Sequence, residues 1–178
     1  MITIAVIGLV LPVVFSLIFA IVQQQLKIYR ISEAKRQGDY IINYMETNIR
    51  NNAVAIYSDS GFTTELCPAS SGEGSSSANN GSSFYFKHKD GTYFQYDGSG
   101  TQISVKTTST PGGTNITTSK TRVDNFSIKC TRSAQYSAPF INLSFDICYN
   151  NNASCATSGR VEEVASLTYK TNIKLRNQ

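Results

Sequence analysis

The chain has 178 residues, enough for one ordinary domain and an appendage but too few for two full enzymatic domains. Hydrophobic residues make up 40% of the chain. Charged residues make up 16%, which is below the roughly 25% typical of soluble domains, and this composition excludes disorder throughout the chain. The net charge of +4 is spread without a dense basic field, so no direct nucleic-acid partner is predicted.

The first segment, from Ile2 to Val22, is apolar, and the first charged residue is Lys27. About 20 apolar residues at about 1.5 Å each span a hydrocarbon core of roughly 30 Å. A cleaved signal peptide is the alternative, but the run is longer than a usual h-region and glutamines follow it instead of a small-residue cleavage site. Residues 1–25 are therefore predicted to be the membrane-spanning half of a helix. Its membrane or filament positions are Ile2, Ile4, Val6, Ile7, Gly8, Val10, Leu11, Pro12, Val14, Phe15, Ile18, Phe19 and Val22.

The helical period continues beyond the membrane segment, which predicts an amphipathic half over residues 26–57. Charged residues occupy the opposite face, where Glu33 and Arg36 are spaced to pair. Both halves together predict one helix of about 50 residues, long for a globular protein. The predicted apolar face of this second half consists of Ile31, Ala34, Ile41, Met45 and Ile49.

The helical period stops after Ser58, and residues 58–178 are predicted to form a small antiparallel β head. Residues 69–83 are nearly all small and polar, so they are predicted to be a flexible loop. A meander follows around turns at Asp90-Gly91 and Asp97–Gly100, and later strands are predicted over Val123–Arg132, Phe140–Tyr149 and Glu163–Leu175. No later segment has the length of a crossover helix, so the predicted fold is α+β, with the long helix packed on a small antiparallel β-sheet head.

Four cysteines in a loop-rich head indicate an oxidising compartment. Three pairings exist. We favour Cys148 with Cys155, because turn residues separate them, and this leaves Cys67 for Cys130. Reduced thiols or a zinc site are the alternatives, but C-x2-C spacing is absent.

No arrangement of residues predicts catalysis or a cofactor. The single histidine, His88, lies between two lysines in a strand without an identifiable partner, which favours an exposed histidine over a general base. The sequence contains no nucleophile elbow, phosphate-binding glycine loop or zinc-protease motif. We therefore predict no enzymatic activity, no catalytic residues, no metal and no cofactor.

Two segments carry a resemblance to a known family. The segment ITIAVIGLVLPVV resembles the N-terminal part of type IV pilins and type II secretion pseudopilins, with Ala5-Val6-Ile7-Gly8 matching their A-I-I-G portion. The ending from Tyr169 to Gln178, YKTNIKLRNQ, resembles the last strand of minor pseudopilins of the J type. The resemblance implies a pilin-like fold, partner pilin-like subunits that bind through the helix, processing by a prepilin peptidase and prepilin methylation.

The same resemblance carries an expectation about the beginning of the chain. Family members start with a basic leader that ends in glycine, followed by a short apolar stretch with a glutamate, whereas Met1 here falls inside the matching helix. We therefore expect the natural reading frame to extend upstream of Met1 by a handful of residues that include these features.

Localisation is predicted as a single pass through a bacterial inner membrane, with the head in the periplasm or outside the cell after assembly. Two signals for the orientation conflict. Lys27, Arg30, Lys35 and Arg36 favour the cytoplasmic side, whereas the cysteines favour the opposite side. The leader expected upstream would supply the competing charges.

Two functions are compatible with this pattern. The first is a structural subunit, a minor pilin or pseudopilin, anchored by its helix before it joins a filament of a type IV pilus or a type II secretion system. The alternative is a single-pass, membrane-anchored extracytoplasmic binding module in which Tyr85, Tyr93, Phe94 and Tyr96 contact a ligand. Aromatic residues at alternating strand positions more often form core or cross-strand pairs, which favours the first function.

Overall fold

The structure is a computed structural model that describes residues 2–68, 74–79, 84–134, 137–149, 154–155 and 166–175. A helix, α1, runs from Ile2 to Asn52 and precedes all the strands. The strands among the described residues are β1 (Ala53–Tyr57), β2 (Gly74–Asn79), β3 (Tyr85–His88), β4 (Tyr93–Asp97), β5 (Ser104–Thr107), β6 (Thr114–Asn115), β7 (Thr121–Arg132), β8 (Phe140–Tyr149) and β9 (Ser166–Lys174). The arrangement is α+β, as predicted.

The helix contains 51 residues and runs without interruption through Pro12. At about 1.5 Å per residue it is about 77 Å long. It ends at Asn52, so the predicted extension of the helix to residue 57 is wrong. The segment AVAIY forms strand β1 instead, because its β-branched residues favour a strand and its backbone pairs with β3.

Five strands form one antiparallel sheet in the order β1-β3-β4-β5-β6, which we call the meander sheet. The predicted turn at Asp90-Gly91 joins β3 to β4, and Gly91 has the positive φ of 85° that glycine adopts at low cost. Aromatic residues pair across this sheet, with the rings of Phe86 and Phe94 stacked 5.1 Å apart. The predicted meander is confirmed.

A second antiparallel sheet has the order β2-β7-β8-β9, and we call it the terminal sheet. The predicted antiparallel head therefore contains two sheets among the described residues. The loop predicted over residues 69–83 is wrong in part, because Gly74–Asn79 pairs with β7 along its whole length. Backbone groups on the free edge of β7 need partners, and a polar segment satisfies them without burying apolar side chains. The other residues of that loop lie outside the described residues.

Strand β7 contains a bulge between Asp124 and Ser127, where its register against β8 shifts. Asn125 has a positive φ of 53° there, and its side-chain amide donates a hydrogen bond to Asp146 at 2.7 Å. The bulge changes which residues face inward, so that buried Val123 is followed by buried Phe126.

One hydrophobic core joins α1 to both sheets. The helix packs mainly on β8 and β9, with further contacts to β1, β3 and β7. The fully buried residues of this core include Ile41, Met45 and Ile49 of α1, Phe86 and Tyr96 of the meander sheet, and Ile128, Ile141 and Ile173 of the terminal sheet. Burial at about 25 cal/mol per Å² of apolar surface is the main force that holds the helix to the head.

Both favoured disulfides are present. Cys67 is joined to Cys130, which ties the connection after β1 to the C-terminal end of β7. Cys148 in β8 is joined to Cys155, at a sequence separation of 7. Buried Arg132 supports the first bridge, because its Nε donates a hydrogen bond to the Cys67 carbonyl at 2.9 Å.

Candidate functional site: the two halves of the long helix

The long helix has two halves with opposite surroundings. From Val10 to Tyr29 it extends away from the head, and about 20 residues at about 1.5 Å each make this projecting half about 30 Å long. From Ala34 to Ile49 the helix lies on the head, and one of its faces is buried. We call these parts the projecting half and the docked half.

The projecting half exposes large apolar side chains around its whole circumference. Phe15 and Phe19 are each 64% exposed, and Ile28 near the head is 67% exposed. Nine of the predicted membrane or filament positions are exposed, namely Gly8, Val10, Leu11, Pro12, Val14, Phe15, Ile18, Phe19 and Val22. Ile2, Ile4, Val6 and Ile7 lie on the same helix, and their side chains are outside the described part of the structure.

Such a surface is unusual for a helix that remains in water. An exposed apolar patch of this extent marks a surface that contacts protein or lipid, and a helix that is apolar on all sides is normally buried on all sides. Near the N-terminus of the described chain, α1 is long and apolar enough to cross a membrane, and none of its most apolar stretch is buried in the protein.

The docked half is buried through the predicted apolar face. Ala34, Ile41, Met45 and Ile49 have no exposed surface, and Ile31 at the edge of the head is half-buried. On the outer side, Arg36 and Glu33 form the predicted ion pair, with 2.7 Å between Nη2 and Oε1. The head therefore covers one face of this half.

A close contact between Gly38 and Tyr169 of β9 fixes the helix against the terminal sheet. A Cβ at position 38 would lie only 2.2 Å from the Tyr169 ring, so only glycine allows this approach. The Tyr169 ring stacks on Phe145 with 5.4 Å between the centroids. Its hydroxyl has one proton and two acceptors in reach, the Lys35 carbonyl at 3.1 Å and Asp39 Oδ1 at 3.0 Å.

The surroundings of the Tyr169 hydroxyl change its acidity. Burial raises the pKa of this group to about 12, and the neighbouring Asp39 carboxylate acts in the same direction because it accepts a hydrogen bond from the neutral phenol. A second tyrosine, Tyr96 of β4, accepts a hydrogen bond from the Asn48 amide at 3.0 Å, and burial raises its pKa as well. Each sheet thus bonds to the docked half through a tyrosine hydroxyl.

Aromatic and basic groups mark the point where the helix leaves the head. Tyr29 contacts Tyr149 of β8 edge to face, with 6.4 Å between the ring centroids. Arg30 lies over the same Tyr149 ring at 5.8 Å. Amphipathic side chains of this kind are typical of an interface between an apolar and an aqueous phase.

Sequence reasoning missed Tyr169, Tyr96 and Asn48 as residues that position the helix. The available signal was Gly38, because a glycine inside a helical pattern often marks a close approach of another element. The partner of that glycine lies more than a hundred residues away in the chain, and no local pattern identifies it.

Other predicted features are placed as follows. His88 is half-buried rather than exposed, and its Nδ1 lies 3.2 Å from Asp90 Oδ1 but lacks the geometry of a hydrogen bond. The turn between β3 and β4 brings the two side chains together. Within the described residues, no group of three or more His, Cys, Asp or Glu side chains could hold a metal ion.

The four aromatic residues predicted to contact a ligand do not form one surface. Phe94 and Tyr96 belong to the core, whereas Tyr85 and Tyr93 pack edge to face with 5.2 Å between their centroids. Cross-strand pairing accounts for their alternation.

Comparisons of the chain with protein-family models, curated proteins and solved structures found no match.

Proposed function

We propose that this protein is a structural subunit of a filament of the type IV pilin or type II secretion pseudopilin kind, held in a membrane by its helix before assembly. One observation carries the proposal. The projecting half of α1 is apolar on every side, yet it continues without a break into a half that the head covers on one face. The resemblance of ITIAVIGLVLPVV to the pilin N-terminal segment agrees with it.

A lipid environment alone explains the apolar span of the projecting half, but it does not explain why the helix continues without a break into the docked half. A solitary anchor needs a span of about 20 apolar residues, and it gains nothing from a rigid helical continuation. Apolar side chains continue to Ile28 and Tyr29, past the first charged residue, Lys27. Helices of neighbouring subunits would cover this surface when the protein leaves the lipid, and burial contributes about 25 cal/mol per Å² of apolar surface.

Insertion is tested first. A charge near the middle of the apolar segment Ile2–Val22, Val14→Asp, should prevent stable insertion, because an aspartate at the centre of a spanning helix costs about 2.5–3.5 kcal/mol. Val14→Ile at the same position is the matched control and should insert normally. Retention in the membrane fraction after alkaline extraction is the measurement.

Assembly is tested separately by crosslinking in cells through Leu17→Cys, which lies on the exposed projecting half. We expect adducts between the helices of this protein and of other pilin-like subunits. The same cysteine combined with Val14→Asp should give none. If Leu17→Cys never forms adducts while the protein stays folded and membrane-bound, the anchored binding module replaces the filament subunit as the better interpretation.

A further inference from the structure

Basic residues are concentrated on α1 at the point where the helix leaves the head. Within residues 27–36 there is one acidic residue, Glu33, and there are four basic ones, namely Lys27, Arg30, Lys35 and Arg36. Glu33 is paired with Arg36, so three of the four positive charges are not cancelled within this stretch.

The fold adds a fifth basic residue, Lys120, to this group. Lys120 is exposed and immediately precedes β7, whose first residue pairs with Tyr149 of β8. Tyr149 in turn contacts Tyr29, which brings the beginning of β7 to the level at which the helix leaves the head. A hydrogen bond from Arg36 lowers the pKa of Glu33, and the positive charge of Lys120 acts in the same direction. We call residues 27–36 together with Lys120 the neck.

The neck carries the whole formal net charge of the protein. It contains five of the 16 basic residues and one of the 12 acidic residues, which gives +4. The rest of the chain contains eleven of each and is neutral. The helical part of the neck is about 15 Å long, so a charge that the sequence divides between two segments is gathered by the fold at one end of the head.

The neck lies where the apolar surface of the projecting half ends. Exposed Leu26 and Ile28 flank Lys27, and Arg30 lies over the Tyr149 ring beside Tyr29. In a helix that spans a membrane, aromatic and basic residues at the end of the apolar span lie at the level of the lipid headgroups. The headgroup phosphates are therefore the groups nearest to these positive charges when the projecting half is inserted.

We propose that the neck docks the head onto a membrane surface of anionic phospholipid, whose headgroup phosphates bind Lys27, Arg30 and Lys120. Lysine and arginine bind phosphate through charge-assisted hydrogen bonds. An acidic protein surface fits the neck less well, because it would place the exposed apolar side chain of Ile28 against polar groups. The proposal rests on the membrane anchor of the proposed function and not on filament assembly.

The test measures the lipid preference of the full chain in phosphatidylcholine vesicles. A trace of spin-labelled lipid, either phosphatidylglycerol or phosphatidylcholine, reports through electron paramagnetic resonance how much of each lipid the protein immobilises. We expect the wild type to bind phosphatidylglycerol about fivefold more tightly, which corresponds to about 1 kcal/mol for one basic residue at an anionic surface. Salt at about 1 M, where the screening length is about 3 Å, should remove most of this preference.

Two lysines of the head provide the matched comparison. Lys120→Gln should lower the preference by at least about twofold, because it removes a charge that only the fold brings to the neck. Lys89→Gln removes the same charge and is the control, since Lys89 is exposed and follows His88, which borders the same groove as Tyr44 and Asn48, far along α1 from the neck. Combined glutamine variants of Lys27, Arg30 and Lys120 should abolish the preference. Unchanged thermal midpoints would show that these variants are folded.

Three results would overturn the proposal. The first is equal binding of both lipids by the wild type, which would assign the neck to an acidic protein surface instead. The second is an equal loss of preference in Lys89→Gln and Lys120→Gln, which would show a response to net charge and not to the neck. The third is a preference that persists at high salt.

Alkaline extraction of the same vesicles separates this proposal from the proposed function. A chain that resists extraction but shows no lipid preference would contradict the lipid contact alone. A chain that is extracted would overturn both the contact and the membrane anchor on which it rests. Crosslinking through Leu17→Cys reports on filament assembly and depends on neither result.

Discussion

Gly38 and Tyr169 form the closest approach between the docked half and the terminal sheet. The Tyr169 ring occupies the space that a larger side chain at position 38 would need, and the ring is held by Phe145, the Lys35 carbonyl and Asp39. The ring therefore cannot move aside without losing stacking and a hydrogen bond.

The variant Gly38→Ala tests this contact. Alanine favours a helix over glycine by about 1 kcal/mol, but overpacking typically costs about 1–3 kcal/mol, so we expect a net loss of about 1 kcal/mol in the free energy of unfolding. Chemical denaturation followed by circular dichroism measures it. Gly8→Ala is the control, because nothing lies within 4 Å of its new Cβ and the head should keep its stability. Adding Tyr169→Ala to Gly38→Ala should remove the penalty; a fully additive double variant would contradict the contact.

The raised pKa of Tyr169 predicts sensitivity to alkaline pH. Its pKa is about 12 in the folded protein, against about 10 for an unfolded chain. The unfolded state therefore loses its proton first as the pH rises, so the contribution to stability is complete below about pH 10 and is lost between about pH 10 and 12.

Thermal midpoints across this range, compared between the wild type and Tyr169→Phe, measure the effect. The difference between the two proteins should shrink as the pH rises from 10 to 12, because Tyr96, which burial also shifts, is common to both. A difference that stays constant over this range would show that the hydroxyl of Tyr169 does not carry the effect.

At the scale of elements, two isoleucine side chains on the two halves of α1 have opposite surroundings. Ile41 has no exposed surface, whereas Ile28, about four helical turns earlier, is 67% exposed. Ile41 thus belongs to the core of the protein, whereas Ile28 faces the surroundings of the projecting half.

Alanine at each position separates these roles. Ile41→Ala should lower the free energy of unfolding of the head by about 2–5 kcal/mol, because it leaves a cavity in the core. Ile28→Ala should leave that free energy unchanged and should reduce crosslinking through Leu17→Cys. Denaturation and crosslinking of both variants are the measurements, and a loss of head stability in Ile28→Ala would contradict the division into two halves.

The two disulfides should differ in their contributions. Cys67 and Cys130 are 63 residues apart and Cys148 and Cys155 only 7, so loop entropy predicts about 4 kcal/mol for the first bridge and about 2 kcal/mol for the second. Paired serine variants, compared by denaturation, test the order. Mass spectrometry without reductant checks the premise, since four free thiols in the native protein extracted without reductant would contradict both bridges.

The elements differ in how well the sequence predicts them. The helix, the meander and the strands β7 and β8 follow from periodicity and turn residues, which are local signals. The end of α1 at Asn52 does not follow from a local signal, because Ala53 and Ile56 fit a helical period as well as they fit a strand. Pairing of this segment with β3 decides for the strand. Strand β2 has no apolar pattern at all, since it exists through backbone pairing with β7.

The sequence also predicts one part of the helix surroundings and not another. The projecting half can be predicted from composition alone, because a run of about 20 apolar residues without charge is a local signal. The groove between the docked half and the meander sheet could not be predicted, since it requires Tyr44 of the helix to meet His88 and Thr107 of the meander sheet. Contacts between distant segments depend on how the helix lies across the sheet, and no local pattern specifies that.

At the scale of the whole molecule, the protein is a head with a stiff projection. The head and the docked half share one core, and the head contains two internal bridges, whereas the side chains of residues 10–26 are all exposed in the part of the chain that the structure describes. Each part can therefore keep its own surroundings, aqueous for one and apolar for the other.

Because α1 has no break between these parts, a rotation of the projecting half about the helix axis turns the head by the same angle. In the proposed filament, packing between projecting halves would therefore fix the direction in which each head faces. One extra alanine after Gln24 would turn the head by about 100° relative to the projection while adding only about 1.5 Å. Membrane insertion and head stability should survive, but crosslinking through Leu17→Cys should be lost. Seven extra alanines complete nearly two full turns and restore the angle to within about 20°. Recovery of crosslinking with seven but not with one would show that rotational phase, and not length, governs how the subunits meet.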